Sequence, residues 1–257
     1  MGILNATPDS FSDGGKFRTA GDAIAQAEFM IANGVDLIDI GGESTRPGAE
    51  PVPLQEELDR VLPVIELLKD CGVPLSIDTY KAETMRQALH AGVHCVNDIW
   101  ALRQKGALDA VLESPNCGVV LMHMQRDPQT MQFNPEYDNV ISEVTQFLTE
   151  RASSLMQDGI DQERIAIDPG FGFGKSLDHN INMLAHFDAF TSTGFPVLAG
   201  VSRKSMLGKI TGKDSHDRVA PSIAAAIMAA DRGAQIIRVH DVPETVDALK
   251  LWEALQD

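Results

Sequence analysis

The sequence predicts an α/β protein with a single (β/α)8 barrel. Short apolar runs recur about every 30 residues, most of them end in a polar residue, and helical patterns lie between them. Strands that alternate with helices favour parallel pairing through right-handed crossovers. The length of 257 residues suits one barrel, because such barrels typically have about 250 residues.

Eight apolar runs are predicted strands, and a hydrogen-bonding or ionisable residue ends each of them. In a barrel the C-terminal ends of the strands meet at one mouth, where active sites lie. The pattern therefore predicts an enzyme together with the position of its site. The runs and their end residues are 3–4 (Asn5), 35–38 (Asp39), 73–77 (Asp78), 93–96 (Asn97), 119–122 (His123), 165–167 (Asp168), 196–201 (Ser202) and 236–239 (His240).

Apolar residues at helical spacing predict helices over 24–31, 54–68, 140–159, 220–230 and 246–255. Glu56 and Glu57 lie in the first turn of the second of these, where they favour the helix dipole. An open doubly wound sheet is the competing architecture, since it also binds ligands beyond strand ends. Eight units without a glycine-rich phosphate fingerprint after the first strand favour the closed barrel.

Composition limits the partners and the compartment. The net charge of −16 excludes nucleic acid and anionic membranes as expected partners. No apolar run approaches the roughly 20 residues that span a bilayer. We find no linker and no signal peptide, so we expect one domain over 1–257. Three dispersed cysteines predict a reducing cytoplasm.

The loop that follows the first run, 5–15, is long for a connection between a strand and a helix. It is either a solvated turn or a mobile lid, anchored at Asn5, that carries Phe11 and Asp13 over the mouth.

The next loop, 41–48, begins with two glycines that allow the backbone to approach a ligand. Thr45 and Arg46 are potential donors to an anion. A Gly/Pro turn with a surface arginine is the alternative. We favour the binding role because a tight group of donors is unusual in such an acidic chain.

Asp78, Asn97 and Asp168 form a third group at strand ends. Each could be a metal ligand, a general base or an acceptor for an N–H-rich ligand, and each alone could cap a helix. Together, two carboxylates and an amide could bind the edge of a fused pyrimidine. Ile99 and Met122 are predicted apolar walls, and His123 could line the pocket.

The glycine-rich segment 168–175 matches a phosphate loop only weakly, because its Gly-Lys-Ser does not open directly into a helix in the required frame. We interpret it instead as a flexible loop that presents Phe173 and Lys175 to a ligand.

Positive charge is concentrated after the last two strands, where barrels often bind phosphate. These residues include Ser202, Lys204, Arg238 and His240. Strand alternation places Arg238 and His240 on the same, inward side. His240 alone could be a structural histidine, but with Arg238, Lys204 and Arg46 it predicts an oligophosphate site.

The motifs that carry these residues resemble those of the dihydropteroate synthases, in order and nearly from end to end. The matching segments are 1–15, 41–47, 97–99, 122–124, 168–173, 202–205 and 238–241. The resemblance implies that a dihydropterin diphosphate loses pyrophosphate while the amine of p-aminobenzoate captures the pterin methylene, with Mg²⁺ assisting. It also implies a homodimer.

The resemblance also implies residue roles. Asn5 would meet Mg²⁺, and Arg238 and His240 would bind the pyrophosphate. The implied catalytic residues are Asp13, Arg46, Lys204, Arg238 and His240. The implied substrate-binding residues are Thr45, Pro47, Asp78, Asn97, Ile99, Met122, Asp168, Phe173, Ser202, Lys204 and Arg238.

Three features depart from the family pattern. Ala6 stands where the family commonly has valine, which is a small change in packing. The segment that usually precedes Met1 is missing from the sequence. Tyr80 stands where the family usually has serine, and it could crowd or stack near the mouth.

Two other functions compete. A methyltransferase acting on methyltetrahydrofolate would share the pterin-binding residues but would need no pyrophosphate site. A non-catalytic pterin-binding barrel should have lost Asn5, Arg238 and His240, which this sequence keeps.

Overall fold

Backbone hydrogen bonds join eight parallel strands of the described residues into a ring. The computed structural model describes residues 1–6, 20–46 and 48–256. Strands β1 to β6 pair in sequence order, and β7 pairs with β8. The strands are β1 (Gly2–Asn5), β2 (Ile38–Gly41), β3 (Leu75–Asp78), β4 (Cys95–Asp98), β5 (Gly118–Met122), β6 (Ile165–Asp168), β7 (Leu198–Ala199) and β8 (Ile236–Ile237).

Two single parallel bridges close the ring. Ile167 pairs with Val197, which joins β6 to the β7–β8 pair, and Gly2 pairs with Val239, which joins that pair to β1. The main chain carries both contacts: Ile167 N donates to Pro196 O and Ile3 N to Val239 O, each at 2.9 Å. The closed barrel is thereby confirmed over the open doubly wound sheet.

Helices follow the strands and cover the outside of the barrel. Each of the five predicted helices is present, and α2 begins at the predicted residue. The helices are α1 (Ala20–Ala32), α2 (Leu54–Leu68), α3 (Ala82–His90), α4 (Ala107–Leu112), α5 (Val140–Gln157), α6 (Leu177–Ala185), α7 (Asp188–Thr191), α8 (Ser205–Thr211), α9 (Val219–Asp231) and α10 (Val242–Glu253).

Strand alternation divides the side chains between two environments. Ile38 and Ile40 of β2 belong to the large core between strands and helices, together with Met30 and Val61. Asp39 lies between the two isoleucines and is fully buried. The prediction that β2 ends at Asp39 was wrong: the strand continues to Gly41, and Asp39 points into the barrel.

A smaller apolar cluster fills the barrel interior. Val120, Ala166 and Leu198, from β5, β6 and β7, pack together there. Because this cluster closes the interior, the polar side chains nearer the C-terminal ends of the strands form the lining of the mouth. In the described part of the chain, no helix has both the length and the apolar character that crossing a bilayer requires.

Side chains buried in the large core should contribute more to stability than exposed ones. Leu121 of β5 is fully buried in it, so Leu121→Ala should lower the free energy of unfolding by about 2–5 kcal/mol. Leu251 of α10 is 66% exposed, and Leu251→Ala should change it by less than about 0.5 kcal/mol. Chemical denaturation of both variants measures the difference. Similar losses for the two would contradict the assigned packing.

Candidate active site

An arginine that bridges two aspartates lies at the centre of the mouth. Arg238 follows β8 and donates through Nε to Asp39 Oδ2 and through Nη2 to Asp78 Oδ2, both at 2.7 Å. Asn97 Nδ2 donates to the same Asp39 oxygen at 3.0 Å. Burial lowers the pKa of Arg238, but Asp39 and Asp78 outweigh it and raise this pKa above its ordinary value. The guanidinium therefore stays charged and fixes one side chain on each of two other strands, and Asn97 on a third strand is bonded to one of them.

Two carboxylate oxygens in this group are left as free acceptors. Asp39 Oδ1 and Asp78 Oδ1 are buried and accept no hydrogen bond from the described residues. Burial raises the pKa of Asp78 to about 7, although Arg238 opposes the change. Buried acceptors without partners are costly, so this region of the mouth is suited to a ligand that brings N–H groups.

Asp168 and Lys204 form the neighbouring part of the mouth. Asp168 Oδ1 accepts from Gly170 N at 2.7 Å. Burial raises the pKa of Asp168, and the Gly170 N–H and the charge of Lys204 oppose it. Lys204 lies over the ring of Phe173, with Nζ 4.3 Å from the centroid. Burial lowers the pKa of Lys204 to about 8, against the effect of Asp168.

Ser202 and His240 pair on the other side of Arg238. Ser202 Oγ lies 3.0 Å from His240 Nδ1 and accepts from His240 N at 3.1 Å. Burial, and then the charges of Arg238 and Arg203, lower the pKa of His240 to about 3. The imidazole is therefore neutral at neutral pH in this structure, and it acts as a hydrogen-bonding group beside the cationic Arg238.

An apolar wall faces these polar residues. Phe173 packs with Ile99 and Met122, the two residues predicted as apolar walls, and the cluster also contains Met124 and Met131. Tyr80 and Trp100 pack against it while remaining partly exposed. A flat aromatic ligand could lie against this wall with its polar edge toward Asp78 and Asp168.

The interpretation that Lys175 faces a ligand was wrong. Its ammonium is buried and donates to Gly170 O at 2.9 Å, to Phe173 O at 3.0 Å and to His123 O at 3.3 Å. His123 Nδ1 lies 3.0 Å from the same nitrogen, so His123 is a partner of Lys175. Burial lowers the pKa of Lys175 to about 7. Lys175 therefore holds the loop that carries Phe173.

A glycine is required in that loop. Gly170 has φ +71°, and a Cβ atom there would lie 2.1 Å from His123 O. The loop can therefore pass close to β5 only with glycine at this position.

Arg46 lies near enough to act on the same group of residues. Its charge lowers the pKa of both Lys204 and His240. Asn5 ends β1, and its Oδ1 lies 3.9 Å from where a Cβ atom of Gly41 would be. Thr45 lies beside Arg46 in the loop after β2, whereas Asp13, Phe11 and Pro47 lie outside the described residues.

Sequence reasoning missed Asp39 as a site residue. The alternation of Ile38, Asp39 and Ile40 could have revealed it, because buried isoleucines on both sides require the aspartate to face inward. It also missed the partners of Tyr80, whose hydroxyl donates to Glu43 Oε1 at 2.7 Å.

The chemistry of the mouth also limits how a metal could bind. The described residues contain no group of three or more His, Cys, Asp or Glu side chains placed to hold a metal ion. A magnesium ion is often held by one or two protein oxygens together with substrate phosphates and water. Asn5 Oδ1 fits that second mode, because it supplies a carbonyl oxygen at a strand end of the mouth.

A closed barrel with an arginine–carboxylate group, an amide, a lysine and an aromatic wall at its mouth defines a barrel enzyme for a flat, N–H-rich ligand. The profile of the family described as "Pterin binding enzyme" matches residues 1–240. The chain belongs to that family.

Comparison with similar proteins shows which enzymes within this family the chain resembles. The dihydropteroate synthase of Neisseria meningitidis serogroup C is 49% identical, over 99% of this chain and 92% of that protein. The crystal structure of Yersinia pestis dihydropteroate synthase with a sulfonamide drug complex has a TM-score of 0.95 and 48% identity, covering 99% of this chain and 93% of that chain. The crystal structure of Burkholderia cenocepacia dihydropteroate synthase complexed with 7,8-dihydropteroate has a TM-score of 0.90 and 52% identity. The match covers 99% of this chain and 90% of that chain. Within the pterin-binding enzymes, the chain is a dihydropteroate synthase, a transferase.

The position of Arg238 generates a stability prediction. Arg238→Met would leave Asp39 and Asp78 buried without their cation, so it should lower the free energy of unfolding by about 3–5 kcal/mol. Arg86, whose partners Glu83 and Glu113 are exposed, provides the control, and Arg86→Met should cost less than about 1 kcal/mol. Denaturant titration compares the two variants. Equal losses of unfolding free energy in the two variants would mean that the buried ion pairs of Arg238 contribute no more to stability than an exposed pair does.

Proposed function

We propose that this chain condenses 7,8-dihydropterin-6-ylmethyl diphosphate with p-aminobenzoate, giving 7,8-dihydropteroate and pyrophosphate in folate biosynthesis. The observation that carries the proposal is the pair of Asp39 and Asp78 oxygens beside Arg238 that accept no hydrogen bond within the described residues, together with the apolar wall that contains Phe173. The two oxygens are acceptors suited to the N–H groups on the edge of a pterin, and the apolar wall is suited to the flat pterin ring. The relative from Burkholderia cenocepacia, whose structure contains 7,8-dihydropteroate, supports the same product.

The pterin is held by the acceptors of the mouth. Asp78, Asn97 and Asp168 take its N–H groups, with Lys204 beside Asp168 and with Ile99 and Met122 as walls. The adjacent strands β3 and β4 place Asp78 directly opposite Asn97, and β5 and β6 place Met122 opposite Asp168. Each half of the pterin site is therefore fixed by a strand pair.

The reaction breaks the bond between the pterin methylene and the diphosphate oxygen. The electron pair leaves with pyrophosphate, the neutral aromatic amine attacks the methylene carbon, and the nitrogen then loses a proton. The reaction needs positive charge at the leaving group and negative charge near the pterin cation. Arg238 supplies the first, with Arg46, Lys204 and the hydrogen-bonding His240, and the ring-binding carboxylates and Asp13 supply the second.

The amine substrate lies beyond the pterin methylene. Thr45, Pro47, Phe173, Ser202 and Lys204 frame p-aminobenzoate. The cation over the Phe173 ring gives that side of the pocket both an aromatic face and a positive charge, which suit an aromatic carboxylate. A sulfonamide site overlapping this region is part of the proposal, since the Yersinia pestis relative was solved with a sulfonamide drug complex.

Magnesium is part of the proposal. Asn5 would hold the ion together with oxygens of the diphosphate, and Mg²⁺ would neutralise charge on the leaving group. The chain's own contribution is the carbonyl oxygen of Asn5 and the guanidinium of Arg238.

We also propose a cytoplasmic homodimer. The exposed side chains Ile181 of α6, Ile210 of α8 and Met228 of α9 lie on three helices that contact one another, and they support an apolar contact between copies. The cytoplasmic location follows from the family's place in folate biosynthesis.

A coupled assay for pyrophosphate tests the proposed reaction. Release should require both the pterin diphosphate and p-aminobenzoate, and Asp168→Ala should abolish pterin binding by calorimetry because a buried acceptor is removed. A surface change such as Glu66→Gln is the control and should leave binding unaltered. Pyrophosphate release without p-aminobenzoate, or near-normal pterin affinity in Asp168→Ala, would refute the assignment.

The lowered pKa of Lys204 predicts a pH dependence. Lys204 is cationic below its pKa of about 8 and neutral above it, whereas an ordinary lysine stays charged to pH 10.5. The substrate is an anion, so kcat/KM for the pterin diphosphate should fall as pH rises through about 8. Lys204→Arg keeps its charge and should retain its own, lower kcat/KM up to about pH 9 or above. The same fall at pH 8 in both enzymes would show that another group titrates.

A further inference from the structure

A buried ion cluster lies beside the mouth, between α2 and the loop that follows β3. Glu57 of α2 is fully buried, and its carboxylate accepts from Thr79 Oγ1 at 2.7 Å and from Thr84 Oγ1 at 3.0 Å. Lys81 Nζ donates to Glu57 Oε2 at 2.8 Å and also to Glu43. Glu57 thus does more than favour the helix dipole, because it anchors a lysine that reaches the loop after β2.

Glu43 connects the two ends of the loop that follows β2. Its Oε2 accepts from Val52 N at 3.0 Å, so one side chain joins the beginning of the segment 43–52 to its end. The same carboxylate accepts from Lys81 and from the Tyr80 hydroxyl. The segment enclosed by Glu43 and Val52 carries Thr45 and Arg46.

The start of the segment is also fixed on α2. Arg60 Nη1 donates to Gly42 O at 2.7 Å. A Cβ atom on Gly42 would lie 2.7 Å from Val61 Cγ1 and 3.0 Å from Glu57 Cγ, so the chain passes directly over the helix at this point.

Tyr80 connects the cluster to the pocket. Its ring packs against the apolar wall that contains Ile99, Met122 and Phe173, and its hydroxyl reaches Glu43. Of the two possibilities for Tyr80, crowding or stacking near the mouth, the structure shows packing against the wall. One side chain links the wall to the loop that carries Thr45 and Arg46.

Stability alone does not account for this arrangement. A buried ion pair is often no more stabilising than well-packed apolar residues of the same volume. A carboxylate that accepts from Val52, Tyr80 and Lys81 does, however, fix one position of the loop, because it joins the loop's own backbone to two side chains of the segment that follows β3. Fixing a loop before a ligand binds reduces the ordering cost of binding.

We propose that Glu57, Lys81, Glu43 and Tyr80 are positioning residues, which hold Thr45 and Arg46 in place for p-aminobenzoate without touching either substrate. This inference rests on the proposed function and assigns the specificity for the second substrate to a cluster outside the pocket. The pterin-binding residues Asp78, Asn97 and Asp168 lie on strand ends, outside this loop.

The test separates the two substrates. Tyr80→Phe removes only the hydroxyl that reaches Glu43, and Lys81→Met removes the cation between Glu43 and Glu57. Each should raise KM for p-aminobenzoate, by about threefold in Tyr80→Phe and about tenfold in Lys81→Met, because the loop must then be ordered on binding. Arg46 lies on this loop and is proposed to act on the diphosphate, so the comparison uses a pterin without that group. In both variants the Kd for 6-hydroxymethyl-7,8-dihydropterin, measured by calorimetry, should change less than twofold.

Two further variants complete the design. Lys81→Arg keeps the charge and should restore part of the affinity for p-aminobenzoate. Lys69→Met removes an exposed lysine, whose partner Glu66 is also exposed. It should leave the KM for p-aminobenzoate and the Kd for the pterin unchanged. A thermal melt of each protein identifies any variant that fails to fold, and in that case Tyr80→Phe decides the outcome.

Equal changes in the KM for p-aminobenzoate and in the Kd for the pterin without its diphosphate would overturn the positioning role. An unchanged KM for p-aminobenzoate in Tyr80→Phe would overturn it as well. The failure of the proposed function itself looks different. It appears in the wild-type protein, as pyrophosphate release that does not depend on p-aminobenzoate.

Discussion

The buried guanidinium of Arg238 is the constraint on which the rest of the mouth depends. A charge in this position must be paired, and Asp39 and Asp78 supply the pairs from two other strands. Asn97 donates a second hydrogen bond to the Asp39 oxygen that Arg238 already contacts. Because each carboxylate gives only one oxygen to the arginine, the other remains for a ligand. The same interaction therefore fixes the geometry of the strands and creates the acceptors of the site.

Much of the fold could be predicted from the sequence, because burial produces periodic patterns. The eight strands were found from apolar runs, and α2 was found with its correct start, since Leu58, Val61, Ile65 and Leu68 repeat at helical spacing and are all buried. The shorter helices, such as α4 and α7, leave too few turns to give a period. β7 and β8 are shorter than their apolar runs, because Val197 and Val239 each make a single bridge to the neighbouring strand.

The site was only partly predictable. Residues at strand ends, such as Asp78, Asn97 and Asp168, were found because the fold itself brings strand ends together. Lys175 was misread, since nothing local shows that its ammonium returns to the carbonyls of its own loop. The cluster of Glu43, Glu57, Lys81 and Tyr80 was missed for a related reason. Its members come from three segments, and their contacts depend on how those segments pack.

The closure of the ring has a consequence for how the mouth responds to thermal motion. β7 and β8 join the other strands through one bridge on each side, whereas β1 to β6 share continuous ladders. The β7–β8 pair is therefore held in the ring by fewer ladder contacts, and Ser202, Lys204, Arg238 and His240 follow its strands. Arg238 reaches past β1 to Asp39 of β2 and Asp78 of β3, so its ion pairs also help to hold the β7–β8 pair in place. One side chain thus shapes the candidate site and reinforces the closure of the barrel.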